Sequence, residues 1–172
     1  MTVLKVMCGI PAAGKTHYIK THAKPEDLVV SRDKIRQSFL TSGLAYFSKE
    51  PEVFAEFCNQ INSGIHKYST IWVDATHLNN KSRWKLLFNI DRFAFEKIVF
   101  ICIETPIEEC FKRNAARPDI SRVPESAMKS MADSYVRPSL NDFLSLNVEI
   151  EVIKWWQLWF MYSHSLFSLF SS

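Results

Sequence analysis

Cysteine and histidine are scarce in this chain, and their spacing excludes two classes of protein. Four cysteines among 172 residues are too few for a disulfide scaffold at this length. None of them forms a CxxC pair or a Cys/His spacing typical of a zinc site, and the five histidines are scattered. We therefore expect reduced, mostly buried thiols at Cys8, Cys58, Cys102 and Cys110 and no metal site built from them.

The overall composition is that of a globular protein with little bias of charge. Apolar residues make up 47% of the chain and charged residues 23%, which excludes a disordered tail, a collagen-like repeat and a coiled-coil rod. The net charge of +3 permits an anionic substrate without requiring one. A chain of this length fits one domain with a substantial core.

The first residues do not have the pattern of a secretory leader. Their apolar stretch is interrupted by Lys5 and Gly9 and is too short for a signal peptide, so we expect a cytoplasmic location. No repeat or linker divides the chain. We predict a single domain at residues 1–153, followed by an apolar, aromatic tail at residues 154–172.

Apolar runs alternate with helical patterns along most of the chain. The runs typical of strands are Val3–Cys8, Leu28–Val30, Thr70–Val73, Lys97–Ile103 and Val148–Ile153, the last as an edge strand. The helical patterns are Lys15–Thr21, Asp33–Leu40, Pro51–Lys67, Lys81–Ile90, Pro106–Ala115 and Pro124–Val136. This alternation predicts a three-layer α/β fold, with a parallel sheet that carries helices on both faces. Ligands of such sheets bind beyond the carboxyl ends of the strands.

A phosphate-binding motif, G-x-x-x-x-G-K-[ST], lies between the first strand and the first helix. Its residues are Gly9, Ile10, Pro11, Ala12, Ala13, Gly14, Lys15 and Thr16. The two glycines, of only four in the chain, let the loop curl so that its N–H groups face phosphate oxygens. Lys15 is predicted to reach the outer phosphates and Thr16 to bind Mg²⁺. We expect the Lys15 side chain to be exposed when no nucleotide is bound.

Asp33 and Arg36 are candidates for the chemistry of phosphoryl transfer to a hydroxyl. They lie three residues apart at a helix start, so they share one helix face. A carboxylate there could accept the proton of the attacking hydroxyl, and a guanidinium could offset phosphate charge. The alternative for Asp33 is a simple helix cap.

Asp74 ends the run Thr70–Val73, at the position where an acid organises Mg²⁺ and its water in nucleotide-binding folds. The alternative is a solvated turn aspartate. The NKxD element that selects guanine is absent from the sequence, which favours ATP over GTP.

A basic segment from Lys112 to Arg122 joins two predicted helices. Arg113 and Arg117 are one helical turn apart and can converge on one anion, so we interpret the segment as a lid that closes on the nucleotide phosphates. The alternative is a solvated connection.

These motifs, in this order, resemble the kinase domain of phage-type polynucleotide 5′-hydroxyl kinases and related small P-loop kinases. The resemblance runs from about Leu4 to Pro138 and rests on five segments: GIPAAGKT, SRDKIR, VDATHLN, KRNAAR and VPESAMKSM. It implies an adenylate-kinase-like fold and transfer of the γ-phosphate of ATP to a 5′-hydroxyl of DNA or RNA.

The resemblance also implies roles for individual residues. Lys15 and Thr16 would bind phosphates and Mg²⁺, and Asp33 would be the general base. Arg36 would hold the phosphate on the 3′ side of the attacked hydroxyl, Asp74 would be a second essential acid and Arg117 the lid arginine. Two departures stand out: neither the length nor a DxDGT-like acidic motif here provides the phosphatase domain of the phage enzyme, and the VDATHLN turn is one residue longer, so Ala75 and Thr76 receive no role.

Two other functions are compatible with the same motifs. One is a small-molecule hydroxyl kinase acting on a nucleoside, sugar or antibiotic. The other is a nucleotide-dependent switch or assembly ATPase, against which the pair of Asp33 and Arg36 argues, because a hydrolase needs only a positioned water. The tail after Lys154 could pack on the core, mediate a homo-oligomer, lie at a membrane interface or be a terminus whose sequence is not under functional selection, and we do not expect stable membrane insertion.

Overall fold

The computed structural model describes residues 1–39 and 47–157, and all five predicted strands lie in these ranges. The strands are β1 (Thr2–Cys8), β2 (Leu28–Ser31), β3 (Thr70–Asp74), β4 (Phe95–Glu104) and β5 (Val148–Lys154). The helices are α1 (Lys15–His22), α2 (Arg32–Phe39), α3 (Glu50–Gly64), α4 (Asn80–Phe88), α5 (Ile107–Ala115) and α6 (Glu125–Asp133). Short 3-10 turns lie at Arg92–Ala94, Asp119–Ser121 and Leu140–Phe143.

The five strands form one parallel sheet in the order β2-β3-β1-β4-β5. β1 therefore lies at the centre, and β5 lies at an edge, the position predicted for it. Cys8 at the end of β1 pairs with Cys102 of β4, and Ser31 of β2 pairs with Asp74 of β3. This register brings the phosphate-binding loop, the start of α2 and Asp74 to the same edge of the sheet.

Apolar cores lie on both faces of the sheet, which confirms the predicted three-layer α/β fold. One core contains Ile35 of α2, Val53 of α3 and Leu86 of α4. The other contains Ile19 of α1 and Met128 of α6. Each such side chain is nearly or fully buried, and full burial stabilises the fold by roughly 1.5–3 kcal/mol per large apolar side chain.

The last helix ends earlier than its pattern predicted. α6 stops at Asp133 rather than Val136. The N–H of Val136 donates to the Leu78 carbonyl at 2.8 Å, and the Val136 carbonyl accepts a hydrogen bond from Arg83. These long-range bonds draw the chain out of the helix, and a sequence pattern does not contain them.

The four cysteines are free and buried, as expected. Within residues 1–39 and 47–157, no helix combines the length and the apolar character needed to cross a bilayer. The alternatives for the tail concern mainly residues 158–172, which lie outside the described residues.

Candidate functional site

The loop between β1 and α1 has the backbone that its glycines predict. Gly9 has φ +145° and Gly14 has φ +110°, and Ala12 between them also has a positive φ of 61°. A Cβ on Gly9 would lie 2.8 Å from the Ile103 carbonyl oxygen, closer than carbon and oxygen can approach. Glycine at position 9 is therefore required by both conformation and packing.

Neighbouring segments fix the loop in this shape. The Gly9 N–H donates to the Thr76 carbonyl at 2.9 Å, and the Thr105 hydroxyl donates to the Ala13 carbonyl at 2.7 Å. Thr76, to which the sequence assigned no role, thus anchors the loop through its backbone. The first turn of α1 carries no acid and its N-cap, Gly14, offers no side-chain hydrogen bond, so its N–H groups remain directed at an incoming anion.

Lys15 is buried, which contradicts the expected exposure. Its side chain is only 8% exposed because Nζ turns back and donates to the Ile10 carbonyl at 2.7 Å. Burial lowers the pKa of the ammonium, Asp74 and Asp33 oppose this shift, and Arg117 adds to it. In this structure the loop backbone therefore holds the Lys15 ammonium. When a nucleotide binds, its phosphate oxygens would replace the Ile10 carbonyl as the acceptor of that hydrogen bond.

Thr16 and Asp74 lie together beside the loop. The Thr16 hydroxyl donates to Asp74 Oδ2 at 2.8 Å. Burial raises the pKa of Asp74, while Lys15 and the Thr16 hydrogen bond lower it. A hydroxyl and a carboxylate are hard oxygen donors of the kind that Mg²⁺ prefers, so these two residues fit the predicted metal site.

Asp33 and Arg36 form the predicted pair at the start of α2. Arg36 Nη1 donates to Asp33 Oδ1. The Arg36 side chain is 7% exposed and that of Asp33 63% exposed, so the guanidinium is fixed in the wall and the carboxylate faces open space. This is the exposure that a proton acceptor for an incoming hydroxyl needs.

Glu50, at the first residue of α3, was missed by the sequence reasoning. Its Oε1 accepts from Arg36 Nε at 2.6 Å and its Oε2 from Arg32 Nη2 at 2.7 Å. One carboxylate thus separates two arginines that lie one helical turn apart and would otherwise repel each other. An acid in the first turn of a helix is common, so nothing in the sequence distinguished Glu50.

We expect Glu50→Gln to lower the free energy of unfolding by about 1–2 kcal/mol, because a largely buried arginine loses a charged hydrogen-bond partner. Urea denaturation measures this difference. Glu52→Gln is the matched control: Glu52 lies in the same helical turn, but its ion pair with Lys49 is half exposed, so a clearly smaller change is expected. Equal effects of both changes would contradict the bridging role of Glu50.

The predicted lid segment folds as the end of α5 followed by a 3-10 turn at Asp119–Ser121. Arg113 and Arg117 both line the cavity next to the loop. Arg113 Nε donates to Glu109 at 2.8 Å, whereas Arg117 adds to the positive field at Lys15. Of the two, Arg117 is therefore the one whose charge reaches Lys15.

All of these groups surround one cavity of about 710 Å³. Its walls contain every predicted catalytic residue: Lys15, Asp33, Arg36, Asp74 and Arg117. Loop residues Pro11, Ala12, Gly14 and Thr16 also line it, while Gly9, Ile10 and Ala13 do not. Gly9 and Ile10 instead line a second cavity of about 270 Å³ behind the loop.

Further residues around the cavity carried no recognisable signal in the sequence. His17, Phe47 and Met131 line it. His77 is buried behind it and donates from Nδ1 to the Met7 carbonyl at 3.0 Å; burial lowers its pKa to about 3, so this ring is neutral at physiological pH. His77 has φ 39°, and its hydrogen bond ties the turn after β3 to β1.

Solved structures share this fold at low sequence identity. Kti12 of Chaetomium thermophilum in complex with ADP-AlF3 is 13% identical, with 88% of this chain and 89% of that chain covered and a TM-score of 0.61. A chain of the Pnkp1/Rnl/Hen1 RNA repair complex is 20% identical, with 77% of this chain and 43% of that chain covered and a TM-score of 0.64. A sugar kinase from Janibacter sp. HTCC2649 is 18% identical, with 91% of this chain and 87% of that chain covered and a TM-score of 0.57.

The family comparison covers the whole site. No curated protein sequence matches the chain significantly. Residues 4–138 match the family model described as an AAA domain. This range contains the phosphate-binding loop, the carboxylates of Asp33 and Asp74 and the basic segment from Lys112 to Arg122. One of these neighbours is a sugar kinase, and at these identities none of them identifies a substrate for this chain. The chain belongs to this AAA domain family, AAA_33, and has its P-loop kinase-like fold.

Proposed function

We propose that this protein is an ATP-dependent kinase that transfers the γ-phosphate to the 5′-hydroxyl of a nucleic acid. The observation that carries the proposal is the exposed Asp33 carboxylate, held by the buried Arg36, in the same cavity wall as the phosphate-binding loop. A switch or assembly ATPase has no use for a second, acceptor-side pair of this kind. The juxtaposition therefore favours transfer over hydrolysis.

The donor end of the cavity suits a nucleoside triphosphate. Loop N–H groups and the start of α1 bind phosphate oxygens. Lys15 gives up its hydrogen bond to the Ile10 carbonyl and donates to the outer phosphates instead. Thr16 and Asp74 would hold Mg²⁺, which supplies charge neutralisation on the phosphates when bound. Arg117 offsets the charge that develops on the transferring phosphoryl group.

The acceptor end positions and deprotonates the hydroxyl. Asp33 accepts the proton of the hydroxyl as its oxygen attacks the γ-phosphorus of ATP in line. The bond between the γ-phosphorus and the bridging oxygen breaks, ADP leaves, and no covalent enzyme intermediate forms. Arg36 binds the phosphate on the 3′ side of the attacked hydroxyl. Its position is set by Glu50 before any acceptor arrives.

A small-molecule hydroxyl kinase is the second candidate, and Glu50 is the observation that favours it. Glu50 and Asp33 together neutralise Arg32 and Arg36, so this end of the cavity carries no net positive charge. A neutral polyhydroxyl acceptor would fit such a wall. The two candidates differ in whether an acceptor phosphate contributes to binding.

Comparing a nucleoside with its 3′-monophosphate tests the proposal. We expect the wild type to prefer the 3′-monophosphate in kcat/KM, and Arg36→Ala to shrink this preference by roughly 2 kcal/mol, about 30-fold, through loss of a charged hydrogen bond. Asp33→Asn should suppress transfer to both acceptors alike. If Arg36→Ala lowered both activities in proportion and kept the preference, Arg36 would be structural and the nucleic-acid substrate would have to be abandoned.

The sequence also predicts a domain boundary between residues 153 and 154, a cytoplasmic location and a homo-oligomer formed through the tail. These three remain predictions.

A further inference from the structure

A row of alternating cations and aromatic rings leads away from the acceptor end of the cavity. It crosses α3 and α4 and ends in the 3-10 turn that follows α4. We call it the cation–aromatic track; its members are Arg32, Phe54, Lys85, Phe88, Arg92 and Phe93.

The inner half of the track is joined to the catalytic pair. Arg32 shares the Glu50 carboxylate with Arg36 and lines the cavity. Its guanidinium lies 5.4 Å from the centre of the Phe54 ring, and Lys85 Nζ lies 4.4 Å from the same ring. The two cationic centres are therefore less than 10 Å apart.

The outer half of the track exposes its rings. The Arg92 guanidinium lies 5.0 Å from the centre of the Phe88 ring and 4.5 Å from that of Phe93. Phe88 is 65% exposed and Phe93 69% exposed, although both are large apolar side chains. Lys85 and Phe88 are three residues apart on α4, so they are neighbours on the helix surface and connect the two halves.

The charge of the track is mainly positive. Glu50 neutralises its cavity end. Further along, Glu52 and Glu56 flank Phe54 on α3, and Asp91 and Glu96 lie on either side of Arg92 in sequence, yet within the described parts of the chain no carboxylate lies within 4.0 Å of Lys85 or Arg92. Lys85 is exposed, and its ammonium lies over the Phe54 ring.

We propose that the cation–aromatic track binds the single strand of nucleic acid on the 3′ side of the attacked 5′-hydroxyl. The inference rests on the proposed function and names a polymer as its acceptor. Cations spaced along a path contact successive phosphates, and exposed aromatic rings stack on unpaired bases; this combination is how proteins hold single strands with little sequence preference. Lys85 contacts a phosphate beyond the one that Arg36 binds, and Phe93 stacks on a base.

Binding without ATP tests the track separately from catalysis. Fluorescence anisotropy with labelled decamers of oligo(dT) and oligo(U) compares the wild type with Lys85→Ala and Phe93→Ala. Each change should weaken binding by about fivefold or more. Lys85→Ala should also reduce the slope of log affinity against log salt by about 0.7, the value for one phosphate of a single strand. The control is Lys20→Ala, an exposed lysine on α1 at the opposite face of the sheet.

Acceptor length provides the second measurement. We expect kcat/KM of the wild type to be higher for a hexanucleotide than for a nucleoside 3′-monophosphate. The ratio of these two kcat/KM values should fall in Lys85→Ala and Phe93→Ala but not in Lys20→Ala. Binding of the decamers without any phosphoryl transfer would support the track and reject the proposed function. Transfer that is independent of acceptor length, with unchanged binding in both variants, would reject the track and leave the kinase intact.

Discussion

Replacing Lys15 by alanine is expected to abolish phosphoryl transfer while leaving the fold intact. The ammonium lies at the centre of the site, close to Asp74, Asp33 and Arg117, and no other described cation contacts the loop carbonyl that it occupies. Without it the outer phosphates lose their charge partner at the loop, and removal of one such preorganised group costs about 10² to 10³ in kcat.

The control for this prediction has two parts. The unfolding midpoint of Lys15→Ala should stay close to that of the wild type, because the side chain contributes one hydrogen bond and its burial disfavours the charged form. Lys20→Ala, five residues further along α1 and exposed, should retain full activity. Activity of Lys15→Ala above about a tenth of the wild-type rate would reject the phosphate-binding role of this loop, given the loss expected for such a group.

Replacing Arg117 by alanine is expected to lower kcat by about 10³ or more, by analogy with arginine fingers. Arg117 lines the cavity and its charge reaches Lys15, yet it lies on the segment after α5 and not on the loop itself. A group that meets the phosphoryl oxygens chiefly in the transition state affects kcat more than the affinity for ATP. Steady-state kinetics with ATP as the varied substrate separate the two.

Lys112→Ala is the matched control for Arg117, since it removes an exposed cation from the last turn of α5, just before the segment that carries Arg117. It should leave both kcat and KM for ATP unchanged. A loss of ATP affinity in Arg117→Ala with kcat preserved would make Arg117 a binding residue and would remove the lid from the mechanism.

Much of the site could be predicted because it lies where short sequence patterns determine the backbone. Gly9 and Gly14 needed positive φ, and the structure gives it to both. Asp74 ends a buried strand, and the parallel order of the sheet then carries it to the loop, where it meets Thr16. These contacts follow from local pattern and from one rule of topology.

The residues that were missed depend on contacts between distant segments. Glu50 reaches Arg36 only after α3 has packed beside α2, and Lys15 is buried because the loop curls onto its own side chain. The end of α6 is set by Arg83, which lies more than 50 residues away in sequence. Patterns of local hydrophobicity contain no information on such pairings.

The most direct test of the account follows the γ-phosphate. The protein is incubated with Mg²⁺, ATP labelled in the γ-phosphate and an oligonucleotide that carries a 5′-hydroxyl, beside the same oligonucleotide already phosphorylated at that end. The account predicts label on the 5′ end of the first oligonucleotide, none on the second, and loss of transfer in Asp33→Asn. Release of labelled inorganic phosphate at the same rate with or without the 5′-hydroxyl would contradict it.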